Sequence, residues 1–320
     1  MHPIDPYILL AAVLLDLLLG DPRWFPHPVV FIGKLIAAME KVLRRLFRND
    51  RLGGVVLLAV TVALTYGVSF AILRGAYAVS PYLGCVVAVI RSWSCLAARS
   101  LHLESKLVAD ALGRGDLPAA RNYLSLIVGR DTAELDEPEI WRASVETVAE
   151  NSSDGVIAPL FFLILGGPPL ALAYKAVNTL DSMVGYKNEC YLDFGRASAR
   201  FDDLANFIPA RLTALLMAAA APLCGLSARD AWRIMRRDGR NHSSPNSGYP
   251  EAAAAGALGV RLGGTNLYGG VPVAKPTIGD PVKPLSAEAW RGAVRLMYGA
   301  EALLVAAWVL YKMLFLWKVL

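Results

Sequence analysis

The sequence predicts an all-α polytopic integral membrane protein with about five or six membrane-embedded helices and helical cytoplasmic loops. Three observations predict this. Of 320 residues, 55% are hydrophobic and only 18% charged, where soluble domains carry roughly 25% charged residues. The apolar residues gather in long runs, the clearest being the 22 uncharged residues 52–73, enough to cross a hydrocarbon core as a helix. The polar residues collect between the runs. A mean hydropathy of +0.43 excludes a disordered chain. Cys85, Cys95, Cys190 and Cys224 lack CxxC spacing, so neither a zinc site nor a disulfide framework is implied. The net charge of +5 comes without a basic face interleaved with aromatics, so no nucleic acid is expected as a partner. Basic residues between apolar runs instead suit loops beside an anionic lipid bilayer.

Residues 8–20 read as a retained helix, because no positive segment precedes them, Asp16 lies within them and Gly20-Asp21-Pro22 replaces a cleavage site. To span, this helix must borrow from Ile4 onward. Residues 52–73 and 75–90, divided by Arg74, predict a helical hairpin. Residues 91–151 are polar and helical in pattern, broken at Gly113-Arg114-Gly115-Asp116 and restarted at Asp136-Glu137-Pro138. Residues 156–174 are apolar but interrupted by Gly166-Gly167-Pro168-Pro169, which predicts two half-helices or a re-entrant turn. Residues 207–226 carry Arg211 near their start. Residues 298–320 form a last span with Glu301, Lys312 and the interface candidates Trp308, Tyr311 and Trp317. The chain 1–320 is read as one membrane domain with large polar regions at 91–155 and 227–297. Seven Lys/Arg in residues 21–51 against none in 1–20 predict an outside N-terminus and a cytoplasmic loop after it. The hairpin then returns 91–154 to the cytoplasm, and the crossings of 156–226 stay open at this point.

Polar side chains concentrate in four places. In the loop Gly20-Asp21-Pro22-Arg23-Trp24-Phe25-Pro26-His27-Pro28, three prolines fix an extended path that presents Asp21, Arg23 and His27 to an anionic ligand, or else forms a plain interfacial turn anchored by Trp24. Arg142, Glu146 and Glu150 recur at i, i+4 and i+8 on one helical face, and the helix is expected to fray into Asn151-Ser152-Ser153-Asp154-Gly155. Carboxylates beside hydroxyls and an amide suit a hydrated Mg²⁺ holding nucleotide phosphates. The alternative is a solvated row of ion pairs ending in an Asx turn. Third, Lys175, Asn178, Thr179, Asp181 and Ser182 precede Asp202, Asp203 and Asn206. Asn178 with Asp181, and Asp203 with Asn206, are spaced to converge on one ligand from one helix face. Fourth, Arg236, Arg237 and Arg240 lead into Ser244 and Asn246, then an Ala-rich helix with Pro250 in its first turn, then Gly263-Gly264. Glycine-rich backbone and a helix N-terminus can donate N–H groups to phosphate, although a flexible loop explains the glycines equally well and no GxxxxGK[ST] is present. Asp193-Phe194-Gly195 lacks every other kinase element and is read as chance. Together these residues favour a membrane enzyme with a phosphorylated substrate over a transporter, which would place its polar groups inside the spans.

The motifs resemble the CobD/CbiB family over nearly the whole chain. They are Asp16-Leu-Leu-Leu-Gly20-Asp21-Pro22 with Pro26-His27-Pro28, Glu146-Thr147-Val-Ala-Glu150-Asn151-Ser152-Ser153-Asp154-Gly155, Lys175-Ala-Val-Asn178-Thr179-Leu-Asp181-Ser182-Met183, Phe201-Asp202-Asp203-Leu-Ala-Asn206, Arg237-Asp238-Gly239, Ser244-Pro245-Asn246-Ser247-Gly248 and Gly263-Gly264. The resemblance implies an inner-membrane ligase that joins adenosylcobyric acid to (R)-1-amino-2-propanol O-phosphate with ATP and Mg²⁺. It further implies catalytic roles for Glu146, Glu150, Asp154 and Asp181, with Glu150, Asp154 and Asp181 holding the metal. Substrate and phosphate contacts are expected from Asp21, Arg23, His27, Asn151, Ser152, Ser153, Lys175, Asn178, Asp202, Asp203, Arg237, Arg240, Ser244, Asn246, Gly263 and Gly264. A non-catalytic AmpE-like signalling protein, or a corrinoid-binding platform for other cobalamin-biosynthesis enzymes, is the alternative.

Overall fold

The computed structural model describes residues 4–22, 24–186 and 188–317, with side chains as far as 314. In chain order the helices are α1 (Pro6–Leu19), α2 (Pro28–Leu46), α3 (Asp50–Val79), α4 (Pro81–Trp93), α5 (Ala98–Gly113), α6 (Leu117–Ser125), α7 (Glu137–Asn151), a π-helical turn (Ser152–Ile157), α8 (Ala158–Val184), α9 (Arg196–Ala205), α10 (Phe207–Ala220), α11 (Ala228–Asp238), α12 (Gly248–Leu258) and α13 (Ala287–Trp317). One antiparallel hairpin, β1 (Arg261–Tyr268) and β2 (Val271–Gly279), completes the fold. Among the described residues the protein is thus all-α apart from a single two-stranded ribbon. Among the described residues five helical stretches are long and apolar enough to cross a bilayer, namely Asp50–Val79, Pro81–Gly113, Glu137–Val184, Phe207–Cys224 and Ala287–Leu314, and Pro6–Leu19 is a shorter apolar helix. The polytopic class and the count of five or six agree with the sequence reading.

Local chemistry sets most helix ends. Asp5, His27, Asn49 and Ser80 each accept from a backbone N–H in the first turn of α1, α2, α3 and α4, which satisfies donors that the helix leaves orphaned. Proline at the first position pre-sets the backbone of α1, α2 and α4. Asp136 and Glu139 form a reciprocal capping box at the start of α7, where Asp136-Glu137-Pro138 predicts a helix start.

Four expectations are corrected. The hairpin of apolar helices turns at Ser80-Pro81 rather than Arg74, since arginine continues a helix readily while proline cannot donate to the preceding turn. After Asn151 the chain does not fray but enters the π-helical turn; Asn151 Nδ2 bonds the Thr147 carbonyl at 3.0 Å and Ser152 Oγ bonds that of Val148 at 2.6 Å. The glycine-rich stretch after α12 is the β-hairpin, closed by Gly269-Gly270 with φ of 58° and 77°, the left-handed pair a two-residue turn demands. The last helix starts at Ala287, well before Tyr298. The two half-helices are present as expected: Gly166 and Gly167 are non-helical and interrupt α8 just before Pro168-Pro169.

The chain forms two compact units that interleave in sequence, one of residues 1–97, 158–206 and 312–320, the other of 98–157 and 207–311. In the first, Ile32, Ile36 and Leu43 of α2, Leu57 of α3, and Ala176, Leu180 and Val184 of α8 enclose Phe194. A Cβ on Gly54 would lie 1.8 Å from the Phe194 carbonyl oxygen. Gly54→Ala is therefore expected to cost about 1–3 kcal/mol by overpacking, read as a lower thermal midpoint in detergent; an unchanged midpoint would refute the close approach. In the second unit the alanine-rich α12 is buried on all its faces, as a helix without a polar side must be.

Candidate functional site

In the second unit, α7 presents Glu146 and Glu150 one turn apart. Glu146 is 5% exposed and saturated: Oε2 takes a hydrogen bond from Arg130 Nη2 at 2.5 Å and Oε1 one from the Gly263 N–H at 2.8 Å. Arg130 also donates to Asn266 Oδ1 at 2.8 Å. Arg142 joins the same Asn266 oxygen at 3.2 Å and donates to the Gly263 carbonyl. Gly263 has φ 79°, and a Cβ there would meet the Pro276 carbonyl oxygen at 2.3 Å. It sits at a register shift between Leu262 and Gly264, and this bulge aims its N–H at Glu146. Glu146 and Gly263 thus tie the hairpin to α7, and the Gly263 N–H is committed to a carboxylate rather than open to phosphate. Gly264 lies against the Arg142 guanidinium.

Glu150 accepts from Ser247 Oγ at 2.8 Å. Ser244 organises the loop that brings Ser247 there, its Oγ accepting from the Asn246 and Ser247 N–H groups, while Asn246 Oδ1 accepts from Arg211 at 3.2 Å. Two residues that sequence reasoning did not select complete the group. His242 Nε2 stands 3.8 Å from Glu251 Oε1, both nearly sealed from solvent. His242 Nδ1 accepts from the Ser244 N–H at 3.0 Å, so a neutral ring carries its proton on Nε2, towards Glu251. Burial, then Glu150 and Glu146, hold the Glu251 carboxyl well above the usual range, and burial holds the imidazole below its own.

Ser153 is 1% exposed and its hydroxyl makes no hydrogen bond among the described residues; Asp154 is half-buried in the π-helical turn. A π-helical turn displaces the residues after it from the α-helical face, a device frequent at functional sites. Arg237 is fully engaged, clamping Asp238 through two 2.7 Å bonds and reaching Asp280 at 2.8 Å. Its guanidinium holds Asp238 below the usual carboxylate range. Arg240 is exposed and lies beside Tyr249, whose phenol it pulls below its ordinary value.

In the first unit α8 and α9 bring together the third group. Tyr174 Oη donates to Asn206 Oδ1 at 2.9 Å, and Asn206 Nδ2 donates to Asp202 Oδ2 at 3.0 Å. Burial first, then Asp181 and Asp203, push the Asp202 carboxyl up to about 7, against hydrogen bonds from Asn206 and Asn178 that work the other way. Asn178, Asp181 and Asp203 thus all act on Asp202, and Asn206 pairs with Asp202 rather than with Asp203 as the spacing suggests. Lys175 lies one turn before Asn178 and Thr179 on α8. On the proline-rich loop, His27 Nε2 is 3.5 Å from Asp21 Oδ1 while Nδ1 caps α2; Arg23 lies outside the described residues, as does the side chain of Trp317. Asp181 belongs to the first unit and Glu150 and Asp154 to the second. Among the described residues no three His, Cys, Asp or Glu side chains form a metal cage.

Apolar spans carrying buried carboxylate, amide and hydroxyl groups define a polytopic membrane protein with built polar centres. The CobD/CbiB protein family model matches residues 9–297, and the chain belongs to that family. It is 74% identical over 298 residues to the cobalamin biosynthesis protein CobD of Geobacter metallireducens, covering 93% of this chain and 94% of the relative. It is 51% identical over 302 residues to CobD of Klebsiella pneumoniae, at 93% and 95% coverage. It is 50% identical over 301 residues to the cobalamin biosynthesis protein CbiB of Salmonella arizonae, at 93% and 94%. No solved structure matches it.

Proposed function

We propose that this cobalamin-biosynthesis protein is the ligase that joins adenosylcobyric acid to (R)-1-amino-2-propanol O-phosphate, at the inner membrane and on its cytoplasmic face, giving adenosylcobinamide phosphate. The observation that carries the reading is the buried carboxylate–amide group around Asp202, in a chain that matches the CobD/CbiB family along nearly its whole length. An amide bond requires an activated carboxyl and a free amine. ATP supplies the activation by turning the corrinoid carboxylate into an acyl phosphate. The amine enters as an ammonium ion, and a carboxylate whose pKa is about 7 is matched to take its proton near neutral pH. Asn206, braced by Tyr174, holds Asp202 in place.

Oxygen donors without a three-residue cage fit a Mg²⁺ that arrives with nucleotide phosphates, since Mg²⁺ keeps water and takes only one or two protein carboxylates. Glu150 and Asp154 of the second unit would hold it, with Asn151, Ser152 and Ser153 beside them in sequence to bind phosphate oxygens; Asp181 with Asn178, in the first unit, is a separate candidate. Lys175 and Arg240 serve the substrate phosphate better than Arg237, whose donors are already spent on two carboxylates.

The test uses purified protein in detergent with adenosylcobyric acid, aminopropanol phosphate, ATP and Mg²⁺, each omitted in turn, following corrinoid mass and ADP together. Mass gain that needs all four is expected, and Glu150→Gln and Asp181→Asn should each slow ADP release by about tenfold or more. Corrinoid binding without mass gain under any condition would point instead to a platform or AmpE-like signalling role.

A further inference from the structure

We propose that the first unit binds an anionic phospholipid, with an acyl chain in a cavity bordered by α2, α3, α4 and α8 and the phosphate at Arg91. The inference rests on the membrane-spanning fold and not on the ligase reading. The cavity holds about 580 Å³ and its walls are hydrocarbon, from Phe25 and Phe31, Leu64 and Val68, Ile90 and Leu172. That is the size and lining of a small-molecule site. The polar side chains in its lining are Thr65, Ser69, Arg91 and Ser94, and Arg91 is the one charged group among them.

The depth of Ser69 and Arg91 follows from the helices. The uncharged stretch of α3 stops at Arg74, which marks the edge of the hydrocarbon, and Ser69 lies five residues inside it, about 7.5 Å at the helical rise. Ser69 and Arg91 are each 11 residues from Ser80, where α3 turns back into α4, so the two share a level just below the headgroups. A guanidinium there is expensive unless it meets an anion. Among the described residues no carboxylate pairs with Arg91. Independently, Ser69 is 2% exposed and its hydroxyl has no hydrogen-bond partner among the described residues. A phosphate diester satisfies both, accepting two bonds from the planar guanidinium and one from the hydroxyl, while its acyl chain runs deeper between Leu64 and Phe31. A zwitterionic headgroup adds a positive charge beside Arg91 and is the poorer fit.

Native mass spectrometry of the detergent-purified chain, incubated with equal amounts of phosphatidylglycerol and phosphatidylcholine of matched chains, tests this. The wild type is expected to retain one phosphatidylglycerol in preference by about fivefold, the bias one cation confers near an anionic lipid. Arg91→Gln should bring the two lipids level, Arg91→Lys should keep most of the preference, and Leu64→Trp should reduce retention of both. Equal retention by the wild type, a result that needs no variant to fold, overturns the proposal, as does a preference that survives Arg91→Gln.

Discussion

Glu146→Ala should unfold about 3–5 kcal/mol more easily than the wild type, because it leaves Arg130 charged and buried without its partner. The two side chains are 9% and 6% exposed, so water cannot replace the lost bond. The same change orphans the Gly263 N–H and leaves Arg142 alone to tie the hairpin to α7. Denaturant unfolding in detergent measures it, with the double variant Arg130→Met, Glu146→Leu as the control. Removing both charges at once should restore most of the stability, since a buried ion pair is often no better than packed hydrocarbon of similar volume. A single variant as stable as the wild type would show that the pair is not what holds the hairpin. The residue expected from sequence to act on substrate is, by its contacts, one that holds structure.

Asp202→Asn should have the opposite character, giving a chain that is more stable at alkaline pH and far less active. The folded carboxyl has a pKa of about 7 against an ordinary 3.8, so the folded state binds the proton more tightly than the unfolded state. The sign follows directly: the wild type loses stability as pH rises from about 4 to about 7, and the loss is complete above that. At most this amounts to about 4 kcal/mol. The asparagine variant should lack that slope, so unfolding curves at pH 5 and pH 8 separate the two proteins. If Asp202 takes the amine proton, turnover should fall by about 10²-fold or more, as for loss of a general base. A variant that keeps the wild-type pH slope of stability would show that this carboxyl does not titrate near neutrality; one that keeps wild-type turnover would remove it from the chemistry.

The start of α7 was legible at Asp136-Glu137-Pro138 because its cause is local, and the same kind of signal went unread at other helix starts. Asp5-Pro6, His27-Pro28 and Ser80-Pro81 each carry a cap and a stop within two residues, although the hairpin was divided at Arg74 by giving charge more weight than proline. Spacing marked Asn178 with Asp181 and Asp203 with Asn206, but the bond that Asn206 makes is to Asp202, and the burial that raises Asp202 comes from the packing of α9 on α8. The hairpin was not legible, since Gly263, Gly264, Pro272 and Pro276 erase the alternation that marks a strand. Nor was the role of Arg130, which lies in an unremarkable loop 136 residues from Asn266. The His242–Glu251 pair was in view in the sequence, yet nothing local says that the two side chains face each other out of water.

The interleaving of the two units sets a timetable for biosynthesis. Glu146 meets the Gly263 N–H across 117 residues of chain, and residues 158–206, which belong to the other unit, are made in between. At about 5–20 residues per second a ribosome needs roughly 6–25 seconds to cover that separation. Throughout this interval the nascent chain holds α7 with only the Arg130 half of its eventual partners, while α8 and α9 are already emerging. A ribosome stalled before codon 263 would leave Glu146 without the Gly263 N–H, and the second unit could close only once the final third of the message had been read.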